Sequence, residues 1–190
     1  MNIDIAHMPL AEKPPGFTEA LTGQGEAVSW RVLEDPSAPA GRVIAETSRD
    51  TADYRFPLCI YDGLSAQNVD VTIRFKPVDG SVDQAGGIVA RFLDSGNYYV
   101  VRANALEDNV RLYKVVNGVR RQIAGNNLKV APAVWHTLSL RIEGDAIEVS
   151  FNGASLIQIR DQTFSGSGKV GIWTKADSLT HFAEIDIEPR

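Results

Sequence analysis

No stretch of this chain repeats its apolar residues with the period of an amphipathic helix. Short runs of alternating or β-branched residues recur along its length instead, with Gly, Asn, Asp and Pro between them. That pattern excludes helix bundles and, because parallel strands need crossover helices, doubly wound α/β folds. The runs fall at 28–33, 42–47, 56–61, 69–77, 87–93, 98–104, 109–116, 120–124, 136–143, 146–151, 155–160, 169–173 and 182–188. Between several of them stand turn sequences: Asp94-Ser-Gly-Asn97, Val116-Asn-Gly-Val119, Glu143-Gly-Asp145 and Asn152-Gly153. Asn-Gly between alternating runs is a strong hairpin signal, since both residues tolerate positive φ in a tight turn. Strand-length runs at this spacing predict consecutive antiparallel pairing and an all-β sandwich or barrel.

A chain of 190 residues, 44% of them hydrophobic and 23% charged, can bury one good core without further help. We expect an extended, Pro-rich lead-in over 1–15 and a single sandwich domain over 16–190, with longer rim loops at 62–68 and 175–181. A net charge of -5 argues against nucleic acid as a partner, because phosphate-tracking surfaces concentrate Lys and Arg. Cys59 is alone, which excludes an intrachain disulfide and a multi-thiolate metal site. No apolar run approaches the roughly 20 residues that span a bilayer, so membrane insertion is not expected. Residues 1–15 lack the basic start and apolar core of a signal peptide. An exported protein whose leader lies outside this sequence and a cytoplasmic start both fit, and the compartment and oligomeric state stay open.

Alternation assigns faces, since neighbouring side chains on a strand point to opposite sides of a sheet. In 98–104, Tyr98, Val100, Arg102 and Asn104 share one face, and Tyr99, Val101 and Ala103 take the other, core-facing one. In 109–115, Asn109, Arg111 and Tyr113 lie opposite Val110 and Leu112. A hairpin joining the two runs brings Arg102, Asn104, Asn109 and Arg111 together with Tyr98 and Tyr113 on one exposed surface, which Arg91 extends. Such a plate suits sugar: guanidinium and amide groups pair with vicinal hydroxyls, and aromatic rings cover the apolar face of a pyranose. The plain alternative is a solvated sheet face whose polar residues pair with Glu107, Asp108 and one another. Lys175 and Asp177 enter a rim loop, where they either contact ligand or form an ion pair that pins the loop. Trp30, Trp135 and Trp173 are read as structural.

From Val69 onward the chain carries Asp83-Gln-Ala-Gly-Gly-Ile88, Asn97-Tyr-Tyr-Val-Val-Arg102, Asn109-Val-Arg-Leu-Tyr-Lys114, Trp135-His-Thr-Leu138, Phe151-Asn-Gly153 and Val170-Gly-Ile-Trp-Thr-Lys-Ala-Asp177 followed by Phe182. In order and spacing these resemble the concanavalin A-like lectin and glucanase superfamily. Within it they resemble the bacterial domain family named for 3-keto-disaccharide hydrolases, with laminin G-like domains among similar modules. The resemblance covers about two-thirds of the chain and implies a two-sheet antiparallel jelly-roll sandwich in contact with carbohydrate. Fold alone does not choose among lectin, glucanase and adhesion module.

Glu184-Ile-Asp-Ile-Glu188 is similar to the catalytic strand of family 16 retaining glucanases, where two carboxyls about 5 Å apart form and then hydrolyse a glycosyl intermediate. Here the triplet falls on the closing strand, and we expect Ile185 and Ile187 in the core with Glu184, Asp186 and Glu188 facing water. No cofactor is expected. His7, His136 and His181 lack zinc spacing, while a structural calcium stays open and unplaced, with Asp50, Asp53, Asp62, Asp70 and Asp79 near predicted turns. The sequence thus points first to a carbohydrate-binding module, then to a glycoside hydrolase, then to an adhesion module that binds protein.

Overall fold

A computed structural model describes residues 1–190, and it contains strands and no helix. In chain order the strands are β1 (Phe17–Gly23), β2 (Trp30–Glu34), β3 (Arg42–Glu46), β4 (Arg55–Ala66), β5 (Val69–Asp79), β6 (Ala85–Asp94), β7 (Asn97–Asn104), β8 (Asn109–Val116), β9 (Val119–Asn127), β10 (His136–Glu143), β11 (Ala146–Phe151), β12 (Ala154–Arg160), β13 (Gly168–Trp173) and β14 (Leu179–Pro189). They form two seven-stranded sheets, one ordered β1-β4-β13-β6-β7-β8-β9 and the other β12-β11-β10-β5-β14-β3-β2. Every named pairing is antiparallel, as the turn chemistry requires. The Asn-Gly turns behave as expected, with Asn117 at φ 50° and Gly118 at 78° between β8 and β9, and Asn152 at 49° and Gly153 at 82° between β11 and β12.

The main core lies between the sheets. Tyr99, Val101, Ala103, Val110 and Leu112 from one sheet meet Val71, Ile73, Phe75, Leu138, Leu140, Ile185 and Ile187 from the other. The predicted parity of β7, β8 and β14 therefore holds. Trp30 packs in this core with its ring 5.9 Å from that of Phe182.

Four boundaries differ from expectation, and one is the rim loop expected at 175–181, which ends at Ser178 because β14 begins pairing with β5 at Leu179. The segment over 1–15 is not a free lead-in: Ile3, Ile5 and Met8 are buried in the main core, and Met1 to Ile3 hydrogen-bonds along β14. β1 escapes detection because only Phe17 and Thr22 of its residues are buried, so this edge strand carries almost no alternation. The expected rim loop at 62–68 is mostly strand, since β4 runs on to Ala66 and turns tightly into β5.

Candidate functional site

The outer face of the β1-containing sheet is not an open plate. From β4 to β9 is five strand spacings, about 24 Å in a flat sheet. Yet the Arg120 guanidinium of β9 sits 4.4 Å from the ring centre of Phe56 on β4, 4.4 Å from Tyr113 and 5.9 Å from Trp173. The sheet must curl into a trough to allow this. The Tyr54 hydroxyl holds the curl, donating to the Gly118 carbonyl at 2.8 Å and accepting from the Arg120 amide at 3.0 Å. Inside the trough lies a second apolar cluster that includes Phe56, Leu58, Val89, Tyr98, Val100, Tyr113, Val115 and Trp173.

Polar residues fill the mouth of this trough. Trp173, Gly87, Arg102 and Arg111 form one row across β13, β6, β7 and β8. A Cβ at Gly87 would lie 2.5 Å from the Val101 carbonyl and 3.0 Å from the Arg102 Cβ, so only glycine leaves Arg102 its place. The Arg102 guanidinium, only 4% exposed, donates to Asn109 Oδ1, to Glu107 Oε2 at 2.7 Å and to the Tyr113 hydroxyl at 3.1 Å. Its Nε is buried without a partner, and so is one terminal nitrogen of Arg120. Burial pushes Glu107 up, but Arg102 and Asn109 outweigh it and leave the carboxyl below its ordinary value.

Behind this pair, Lys175 Nζ bonds Asp53 and lies 2.9 Å from Asp83. Burial draws Lys175 down, yet the two carboxylates hold its proton and leave the ammonium above its ordinary value. Asp83 is raised, because burial outweighs Lys175. Asn104 bonds Asp83 with its amide and takes the Leu106 and Glu107 amides on its carbonyl oxygen, thereby bracing the β7–β8 turn.

Sequence reasoning placed Arg102, Asn104, Asn109 and Tyr113 together, and the structure does so, but these side chains are buried where an exposed plate was expected. Alternation specifies a side and carries no curvature. Arg111 is half-exposed and turns toward the edge, donating to Asn127. Tyr98 is fully buried, with its hydroxyl 2.8 Å from Thr22 Oγ1 and its pKa pushed up to about 12 by burial. It belongs to the floor.

Arg91 lies elsewhere. Its φ of +48° adds a bulge, so that the ladder runs from Ala90 opposite Tyr99 to Asp94 opposite Asn97. Phe92 then packs with the trough cluster, while Arg91 reaches toward Gln67, Phe164 and Gly144. Nor do Lys175 and Asp177 pair with each other. Asp177 accepts the backbone amides of Ser81, Val82 and Asp83 at 2.7 to 3.2 Å, which pins the β5–β6 loop.

The pairing of Arg102 with Glu107 is the one the solvated-face alternative named, whereas the grouping of Lys175 with Asp53 and Asp83 and the closure of Phe56, Tyr113 and Trp173 around Arg120 were not visible in the sequence. Trp173 alternating with the core residue Ile172 was the available signal, because it put the indole on the outer face. Trp135, read as structural, is half-buried with its Nε1 on Ser37 Oγ at 3.1 Å and Lys76 Nζ 4.8 Å from its ring centre.

Glu184, Asp186 and Glu188 lie on the outside of the other sheet, on the far side of the molecule from the trough. Glu184 is 3.7 Å from Arg74, and Asp186 accepts from Asn2. The turn aspartates each have other partners: Asp50 takes the Glu26 and Ala52 amides, Asp62 pairs with Lys169, Asp70 with Arg190 and Asp79 with Arg49. No group of three or more His, Cys, Asp or Glu side chains converges as a cation site would need.

No family model matches the chain, and no curated protein matches it. Solved structures do. Carbohydrate-binding module CBM66 from Bacillus subtilis superposes with a TM-score of 0.70 at 22% identity, over 91% of this chain and 95% of that one. The GH16 of the Bacteroides ovatus mixed linkage glucan PUL, in complex with a G4G4G3G product, gives 0.67 at 8% identity over 99% of each chain. The exoplasmic/lumenal domain of VIP36, in its Ca2+/Man3GlcNAc-bound form, gives 0.65 at 9% identity over 100% of this chain and 90% of that one. Two antiparallel sheets, the strand order and these superpositions together show that the chain has the concanavalin A-like jelly-roll fold.

Proposed function

We propose that the protein is a non-catalytic carbohydrate-binding module that takes a sugar at the mouth of the trough, between Arg102, Glu107, Asn109 and Lys175 and the box of Phe56, Tyr113 and Trp173. One observation carries the reading. Three buried nitrogens at the trough, Arg102 Nε, one terminal nitrogen of Arg120 and Trp173 Nε1, lack an acceptor, while the Arg102 terminal nitrogens bond Asn109, Glu107 and Tyr113. An unmade buried hydrogen bond costs about 1–3 kcal/mol, and a ligand hydroxyl arriving there recovers it. No cavity opens at the mouth, because Arg120 occupies the ring box. In this reading the sugar stacks where that guanidinium now lies, and the half-exposed Arg120 side chain swings outward. The solved neighbours named with sugars support the class of ligand.

A glycan-array screen, run with and without calcium, tests the reading. The best ligand is then titrated against Arg102→Ala and Arg111→Ala, with a thermal melt to check folding. Arg102→Ala should weaken binding by about 1–3 kcal/mol, the cost of leaving its hydroxyl partner unpaired. Unchanged affinity in both variants moves the site elsewhere, and the absence of any glycan ligand favours a protein-binding adhesion module. We also propose that the protein is exported to the periplasm or beyond, as befits its similarity to a domain of an extracellular arabinanase. Fractionation of the source cells checks that: recovery in the cytoplasm alone overturns it.

The acidic triplet of the family 16 type of hydrolase reading faces outward on the other sheet, where Glu184 lies beside Arg74 and Asp186 accepts from Asn2.

A further inference from the structure

We infer that the protein has a second binding site, for a single hydroxyl-rich ring, in the polar cavity that Arg91 floors at the end of the sandwich. The cavity holds about 310 Å³ and is lined by Gln67, Arg91, Gly144, Asp145, Asp161, Gln162 and Ser165, with no hydrophobic residue among them. It lies four residues along β6 from Gly87, about 13 Å from the row that carries Arg102 at 3.3 Å per residue.

Arg91 is the reason to read this cavity as more than a crevice. It is 1% exposed, and its hydrogen-bond partners are the carbonyls of Gln67, Phe164 and Gly144, none of which carries a charge. A guanidinium has five N–H groups, so these bonds leave two for another acceptor. A buried cation held only by neutral oxygens is costly, and burial draws its pKa down accordingly. Its backbone sits at φ +48°, a conformation that side-chain-bearing residues adopt at a cost of about 1–3 kcal/mol and that collects at ligand sites.

The rest of the lining selects the ligand class. Asp145 is paired with Arg160 and accepts from Gln162, while Asp161 takes Lys114 Nζ at 2.7 Å and the Tyr99 hydroxyl at 2.6 Å. The wall therefore carries both donors and acceptors. An anion would face both carboxylates and a cation would face Arg91, whereas a hydroxyl accepts from one neighbour and donates to the next. Small-molecule pockets run from about 300 to 1,000 Å³ and are lined mostly by apolar side chains with a few polar ones. This one is at the small end and has no hydrophobic residue in its lining, which suits one sugar ring.

The inference stands apart from the trough reading, and the test separates them. The uniformly 15N-labelled chain is titrated with glucose, mannose, galactose and arabinose, and in a parallel arm with inorganic phosphate. Amide shifts at Gly144, Asp145, Gln162 and Ser165 are followed in the wild type, in Arg102→Ala and in Ser165→Phe. We expect saturable shifts with at least one sugar in the wild type and in Arg102→Ala, lost in Ser165→Phe, whose ring fills the cavity. Gln162→Ala, which keeps the backbone intact should Ser165→Phe misfold, should weaken the same titration by about 2- to 10-fold through one lost hydrogen bond. Absence of shifts with every sugar overturns the inference, as do shifts with phosphate alone, shifts that persist in Ser165→Phe, or shifts that vanish in Arg102→Ala.

Discussion

Two outward-facing strips of this molecule read alike in sequence and differ in space. On β14, Glu184, Asp186 and Glu188 alternate with core isoleucines and remain half-exposed or exposed, with partners no stronger than Arg74 and Asn2. On β7 and β8, Tyr98, Arg102, Asn104, Asn109 and Tyr113 alternate with core residues in the same way, yet every one of them is buried. The β1-containing sheet curls until Phe56 and Arg120, five strands apart, meet. An outer face thereby becomes a second interior with its own aromatic floor. Equal alternation yields a solvated strip on one sheet and a desolvated polar network on the other, and only the second can give a few hydrogen bonds the weight that recognition needs.

The comparison breaks most readily at Trp173. If the trough floor is a true interior, Trp173→Ala should cost about 3–5 kcal/mol in a denaturant melt, as an inter-sheet deletion would. A loss under about 1 kcal/mol, the scale of a surface substitution, would return this face to the solvated class. Next in size is Asp177→Asn, which removes the charge that three loop amides share. Hydrogen bonds to a charged group contribute about 1.5–3 kcal/mol, so a loss near 2 kcal/mol at neutral pH is expected.

Its pH dependence sharpens the point. Burial pushes Asp177 up, but the amides and hydroxyl of the loop outweigh it and hold the carboxyl below its ordinary 3.8. A depressed folded value stabilises above the unfolded value, and that contribution is lost as pH falls through the folded one. The melting gap between wild type and Asp177→Asn should therefore be full at neutral pH and shrink below 3.8. A gap unchanged down to acid pH would mean that shape alone, without charge, pins the loop. The smallest effect belongs to β14: Glu184→Gln with Glu188→Gln should shift stability by no more than about 0.5 kcal/mol and leave glycan affinity unchanged. A large loss of affinity with folding intact would bring the acidic strip back as part of a site.

Much of the fold was legible in the sequence because it rests on local chemistry. Period-two alternation placed Val101 and Leu112 inward, and Asn-Gly pairs set the hairpins at 117–118 and 152–153. β1 and the pairing of residues 1–3 along β14 were not legible, since an edge partner needs little alternation of its own. Of the candidate site, the grouping of Arg102, Asn104, Asn109 and Tyr113 followed from parity and a single hairpin, both local quantities.

What only the tertiary structure decided is everything that depends on the curl of a sheet or a break in its ladder. The burial of the Arg102 network, the Arg120 guanidinium in its ring box and the pairing of Lys175 with Asp53 and Asp83 join residues from strands and loops far apart in the chain. The bulge at Arg91 moved one predicted ligand residue to the opposite end of the sandwich. A sequence states which side of a strand a residue takes. Curvature and bulges arise from the packing of whole sheets against each other, so whether that side meets water or other side chains is settled only when the chain closes on itself.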